Sequence, residues 1–271
     1  MRVRIINGLL IGCLAITGRA LETTRLTQGS DHLTPIQREI ERQRQRLSSA
    51  EIEERRDALM RLANLERPEA SRVATAGLRD PVPIVRATAV HAVLSLPQAE
   101  GAAVLIPLLQ DKLEFVRRET AYALGKTRSR SAVEALSNLL LFDKEASVRA
   151  AAAIALGQIG DDAAVNALSQ VLNGTAPPKG KKKKLRENEF VMRAAAHSLG
   201  QIRSRSSVTV LIATLENETN ANDVRREAAT ALGLIGDASA IPSLRAALGA
   251  ADPYLSEAAR EALRRLRLAR N

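Results

Sequence analysis

Apolar and polar residues in this chain follow a helical rhythm that restarts five times, at Val85, Val116, Val148, Val191 and Val224. Counting from each valine, small or apolar residues recur at steps 4, 7 and 8, a glycine usually follows at step 9, and a second apolar set opens at step 17. The second set reads Ala102, Leu105, Leu108 and Leu109 in the first unit and Ile241, Leu244, Ala247 and Leu248 in the last. Spacings of three and four residues gather these side chains on one face of an α-helix, because 3.6 residues make a turn. Each unit therefore predicts a helical hairpin. In the second unit the first helix is expected over Val116 to Leu124, ending at Gly125, and the second over Ala132 to Leu140. Gly125, Gly157, Gly200 and Gly233 read as left-handed residues that close the first helix, a conformation without steric cost for glycine. Asp80, Asp111 and Asp143, each five residues before a valine, suit a turn or N-cap.

The starts lie 31, 32, 43 and 33 residues apart, so the third interval carries an insertion. A weaker copy precedes the five, with Ala58 and Leu62 followed by Ser71, Ala74, Gly77 and Leu78, and a lone first helix over Leu255 to Leu263 follows them. Repetition at this period predicts an all-α solenoid of about six stacked hairpins with modified ends. The chain divides into a leader-like segment 1–20, a tether 21–33, an N-terminal capping helix within 34–50 introduced by Thr34-Pro35, and a solenoid over 51–271 with a loop insertion at 173–189.

Val116-Arg117-Arg118-Glu119-Thr120-Ala121-Tyr122-Ala123-Leu124-Gly125 and Val224-Arg225-Arg226-Glu227-Ala228-Ala229-Thr230-Ala231-Leu232-Gly233 resemble the HEAT repeat, in the variety named after phycobilisome lyases. The resemblance spans about residues 51 to 268 and implies a curved superhelix whose first helices line the concave side. It implies no single activity, since similar repeats occur in scaffolds, phycobilin lyases, deoxyhypusine hydroxylases and proteins that bind DNA lesions. The His-Glu dipeptides that mark the di-iron site of the hydroxylases do not occur here.

Composition narrows the chemistry. Among 271 residues only 2% are aromatic and tryptophan is absent, which removes the usual anchors for binding hot spots and argues against base-stacking and sugar-binding surfaces. The net charge of +10 leaves anionic partners open. Arg2 and Arg4 precede an apolar stretch from Ile5 to Ile16, with Gly18-Arg19-Ala20 after it, a secretory pattern too short for a membrane span. Export to the periplasm or envelope is the expectation, with a cytoplasmic location as the alternative. Cys13 is the single cysteine and lies in Leu10-Ile11-Gly12-Cys13, which resembles a lipobox and makes it a lipidation candidate. With His32, His91 and His197 the only histidines, neither metal-ligand clusters nor phosphate loops are found, and no cofactor is expected.

Two surfaces remain as binding candidates. The residues at step 6 of the first helix are His91, Tyr122, Ile154, His197 and Thr230, and those at step 2 include Arg118, Arg193 and Arg226. The ladder of His91, Arg118, Tyr122, Arg193, His197 and Arg226 predicts a face that takes a protein or peptide without catalysis. The insertion carries Lys179, Lys181, Lys182, Lys183, Lys184 and Arg186, a charge run suited to nucleic acid or anionic lipid. An accessory role to a lyase or oxidoreductase is the third class, implied by the resemblance alone. Arg86, Arg117, Arg149 and Arg225 at step 1 are expected to tie neighbouring repeats, and Met192 in that column predicts a looser stack at the insertion.

Overall fold

The computed structural model describes residues 33–174 and 188–268. Thr34 opens the first helix with a reciprocal cap, its hydroxyl accepting from the Gln37 N–H while the Gln37 side chain accepts from the Thr34 N–H. That capping helix is α1 (Pro35–Arg46). Six hairpins follow, each a first helix and a shorter second one that packs mainly on the first helix of the next unit: α2 (Ile52–Asn64) with α3 (Pro68–Ala74), α4 (Pro83–Ala92) with α5 (Gln98–Leu105), and α6 (Glu114–Thr127) with α7 (Val133–Phe142). Then come α8 (Ala146–Ile159) with α9 (Val165–Leu172), α10 (Glu189–Ile202) with α11 (Val208–Glu216), and α12 (Asn222–Ile235) with α13 (Ile241–Ala247). The unpaired α14 (Pro253–Leu268) closes the stack. No strand occurs among the described residues, and the fold is an all-α solenoid.

The predicted apolar steps form one continuous core between the two helix layers, with Leu105, Leu124, Leu136, Leu156, Leu168, Leu199 and Leu211 fully buried. Alanine and glycine dominate the contact between successive first helices. An added Cβ on Gly200 would stand 2.9 Å from the Cα of Ala231, and one on Gly233 would stand 2.7 Å from the Cα of Ala262. First helices therefore touch backbone to backbone across repeats, whereas second helices meet their neighbours less extensively. In a two-layer stack the more closely spaced layer lies on the inside of the curve, so the first helices line the concave side.

The glycine column corrects the sequence reading. Gly125, Gly157, Gly200 and Gly233 sit inside their helices, which run on to Thr127, Ile159, Ile202 and Ile235. The left-handed residues that end them come next, at Arg128, Gly160, Arg203 and Gly236. Step 9 is glycine because a neighbouring helix occupies the space a side chain would need, and the helix end lies one turn later. The first helix of the second unit accordingly spans Glu114–Thr127 rather than 116–124, and a 3₁₀ turn at Arg130–Ala132 precedes Val133–Phe142.

The looser stack expected at Met192 is also corrected. Met192 is buried, α8 and α10 pack as extensively as any pair of first helices, and the Ser198 hydroxyl donates to the Ala153 carbonyl across the junction at 2.8 Å. An arginine at this step would tie α10 to the following unit, and there too the first helices, α10 and α12, are closely packed without it.

Candidate functional site

Steps −1, 2, 3 and 6 of a first helix fall on one stripe, since residues three, four and seven apart share a helical face. With steps 4, 7 and 8 committed to the core, this stripe faces outward on the concave side. At step −1 it carries Ile84, Phe115, Ser147, Phe190, Asp223 and Tyr254, and at step 6 it begins with Met60 on α2. Phe115, Tyr122, Phe190 and Tyr254 make four of the chain's five aromatic residues, and only Phe142 lies elsewhere. The sequence reading missed Met60, Ile84, Phe115, Phe190 and Tyr254. For all but Met60 the signal was step −1, the residue just before the repeat valine or, for Tyr254, before Leu255, three positions ahead of the arginine column.

At the N-terminal end, α2, α4 and α6 enclose a groove of about 460 Å³ whose lining includes Met60, Ile84, Phe115, His91, Arg118 and Glu119. Met60 is 46% exposed and Ile84 42%, so the groove presents apolar surface to water. Glu119 joins two of the predicted residues: one carboxylate oxygen meets His91 Nε2 at 3.3 Å, and the other accepts from Arg118 Nε and Nη2 at 3.4 Å. His197 repeats the first of these links one half-solenoid later, with Nδ1 2.7 Å from Glu227 Oε1.

At the C-terminal end the side chains form a continuous strip across α10, α12 and α14. The Arg193 guanidinium stands over the Phe190 ring at 5.3 Å, and the Arg226 guanidinium over the Tyr254 ring at 5.4 Å. Asp223 lies between them, 3.6 Å from Arg193 Nη1 and in contact with Arg226 Nη2. Between strip and groove the face is small and apolar, with Ala150 and Ala151 buried and Ile154 half-buried. Tyr122 is half-buried against the core and belongs to neither polar cluster.

A second set of arginines fixes the helices that carry this face. Arg55, Arg86 and Arg117 each donate from Nε and Nη2 to both oxygens of Asp80, Asp111 and Asp143 in the following repeat, at 2.7 to 3.1 Å. The same arginines donate through Nη1 to the carbonyl six residues earlier, at Ser49, Asp80 and Asp111. Each aspartate also accepts the N–H two residues on, at Val82, Leu113 and Glu145. Burial alone would raise the Asp111 carboxyl, but the hydrogen bonds from Arg86 and the Leu113 N–H and the two nearby guanidiniums hold it below the ordinary carboxylate value. Arg117 is pushed up, first by its hydrogen bond to Asp143 and against its own desolvation. Arg149 donates to the Asp143 carbonyl at 2.8 Å and Arg225 to the Leu215 carbonyl at 2.9 Å. The step-1 column thus ties turns and helix ends.

The charge run Lys179, Lys181, Lys182, Lys183, Lys184 and Arg186, the lipidation candidate Cys13 and the leader-like segment lie outside the described residues. Among the described residues no group of three or more His, Cys, Asp or Glu is placed to hold a metal ion, and no helix is long and apolar enough to cross a membrane.

The model of HEAT repeats matches residues 40–123, 102–180 and 183–266. No functionally curated protein matches the chain in sequence. Similar solved structures include the complex of CpcE and CpcF of phycocyanin lyase from Nostoc sp. PCC7120, at 22% identity over 89% of this chain and 89% of that one, with a TM-score of 0.48. Human deoxyhypusine hydroxylase is similar at 20% identity over 85% of this chain and 96% of that one, with a TM-score of 0.41. A designed armadillo repeat protein is similar at 16% identity over 83% and 98%, with a TM-score of 0.37.

Proposed function

The chain belongs to the HEAT-repeat proteins, and from that premise we propose that it is a noncatalytic scaffold that binds a protein or peptide along the concave face of its first helices. One observation carries the reading: a chain with three phenylalanines, two tyrosines and no tryptophan sets three of those five rings, Phe115, Phe190 and Tyr254, in a single outward column of its first helices. Folding gives no reason to spend scarce aromatics there, because the core is filled by alanine, leucine and valine. Aromatic and arginine side chains are the types that dominate protein interfaces energetically. His91, Arg118, Tyr122, Arg193, His197 and Arg226 are the polar contacts of this reading, with Met60, Ile84, Phe115, Phe190 and Tyr254 as its apolar anchors.

Site-specific photo-crosslinking in the native host tests it. A photoreactive residue at Thr88 or Thr230 on the stripe is expected to trap a discrete protein adduct that disappears in the Phe115→Ser, Phe190→Ser double variant. The same probe at Arg79 on a second-helix turn is expected to trap none. Equal adducts at both faces, or none at the stripe, would overturn the reading.

The lysine run supports a second reading, anion binding, which predicts affinity for phosphate-bearing surfaces that falls steeply with salt. The leader-like residues 1–20 support placement in the bacterial envelope. A mature mass beginning at Leu21 is the expected result of processing, and an unprocessed cytosolic chain would count against it.

A further inference from the structure

The strip formed by Phe190, Arg193, Asp223, Arg226 and Tyr254 has an arrangement that specifies its ligand further than a general docking face does. Phe190 is 47% and Tyr254 70% exposed, so both rings present apolar surface to water. Each ring supports a guanidinium, and one carboxylate, Asp223, serves both guanidiniums. Two cations with five N–H donors apiece share a single anion, which leaves most of their donor capacity unused on a surface fixed by three packed helices. A second carboxylate bridging Arg193 and Arg226 would complete the charge balance of these three groups without moving them. An apolar side chain on either side of that carboxylate would cover the two rings.

We propose that this strip is a receptor for an acidic segment of a partner protein, in which one glutamate or aspartate is bracketed by aliphatic or aromatic side chains. The proposal rests on the scaffold reading and specifies its chemistry at the C-terminal half of the face. A polyanion is the poorer fit. Asp223 lies inside the strip and Glu227, held by His197, borders it, so an unbroken row of phosphates would meet two carboxylates. A basic segment would meet two guanidiniums already stacked in place. The net charge, +10 for the whole chain and +7 without residues 1–20 and their three arginines, adds a long-range attraction for an acidic partner.

The test uses the full chain and two synthetic ten-residue peptides that differ only in a central Glu or Gln between leucine and phenylalanine. Binding is read from chemical shifts of the strip's backbone amides up to millimolar peptide. The Glu peptide is expected to bind about tenfold more tightly than the Gln peptide, one charge-assisted pair being worth about that ratio. Arg193→Gln with Arg226→Gln is expected to erase the difference between the peptides. Asp223→Asn is expected to tighten the Glu peptide several-fold, because it removes the carboxylate that competes for the same donors. That last sign separates ligand recognition from a structural role, since loss of a structural ion pair would weaken binding or leave it unchanged. Equal binding of the two peptides would overturn the acidic specificity while leaving a docking face intact. Absence of any shift in the strip would overturn the proposal, and the crosslinking experiment would then decide the scaffold reading by itself.

Discussion

Asp111 holds three kinds of hydrogen bond at once. Its carboxylate receives Arg86 through two N–H groups, the same carboxylate receives the Leu113 N–H, and its carbonyl receives Arg117. The carboxylate therefore fixes the turn it belongs to and the repeat before it. Because its folded pKa lies below the unfolded value of about 4, it contributes stability that is complete above that pH and is lost as pH falls through the folded value. Asp111→Asn should cost about 2 kcal/mol at neutral pH, the scale of a hydrogen bond to a charged partner. Urea unfolding followed from pH 7 to pH 3 should show the gap between wild type and variant closing below about pH 4, since only the wild-type group titrates there. A gap that stayed constant with pH would remove Asp111 from this role. The partners were legible in the sequence, because arginine and aspartate recur at fixed distances from the repeat valine. Met192 was not. Whether a missing arginine loosens an interface depends on how closely the neighbouring helices pack, which one column of the repeat does not show.

At the scale of the helix, glycine makes the first-helix layer close. A glycine after a run of apolar residues reads equally as a helix end or as a point where another backbone approaches, and periodicity cannot tell these apart. The neighbour decides, and the neighbour is some 30 residues away, as with Gly233 and Ala262. Gly233→Ala gains about 1 kcal/mol of helix propensity, yet must push Ala262 away and so should destabilise by about 1–2 kcal/mol net. The double variant with Ala262→Gly should not recover that loss in denaturant unfolding, because the nearest atom is the Ala262 Cα, which glycine keeps. If Gly233→Ala were stabilising, the helix contact would not be the reason for the glycine. The exposed stripe was half legible for a related reason. The arginine and histidine columns announced themselves by repetition, whereas Ile84, Phe115, Phe190 and Tyr254 share one column but not one residue type, so only the three-dimensional alignment of α4, α6, α10 and α14 groups them.

Over the whole molecule, stability is a sum of repeats and of contacts between nearest neighbours, so the ends matter out of proportion to their length. Leu255, Ala259, Ala262 and Leu266 of α14 are buried, and α12 is the first helix they cover. A chain ending before Pro253 should unfold at a lower urea midpoint and should associate with itself through the uncovered face of α12, both measurable by circular dichroism and light scattering. An unchanged midpoint and a monomeric species would show that the last hairpin needs no cover. The arginine and aspartate partners carry a consequence for how such a chain changes length. Copying residues 82–112 in tandem would place a second Arg86 six residues after the first Asp111, and would give every new arginine an aspartate at the distance the original has. Duplication or loss of a whole unit therefore leaves none of these arginines without its aspartate at the seam, and the number of repeats is a quantity that recombination can vary while this column of ion pairs stays closed.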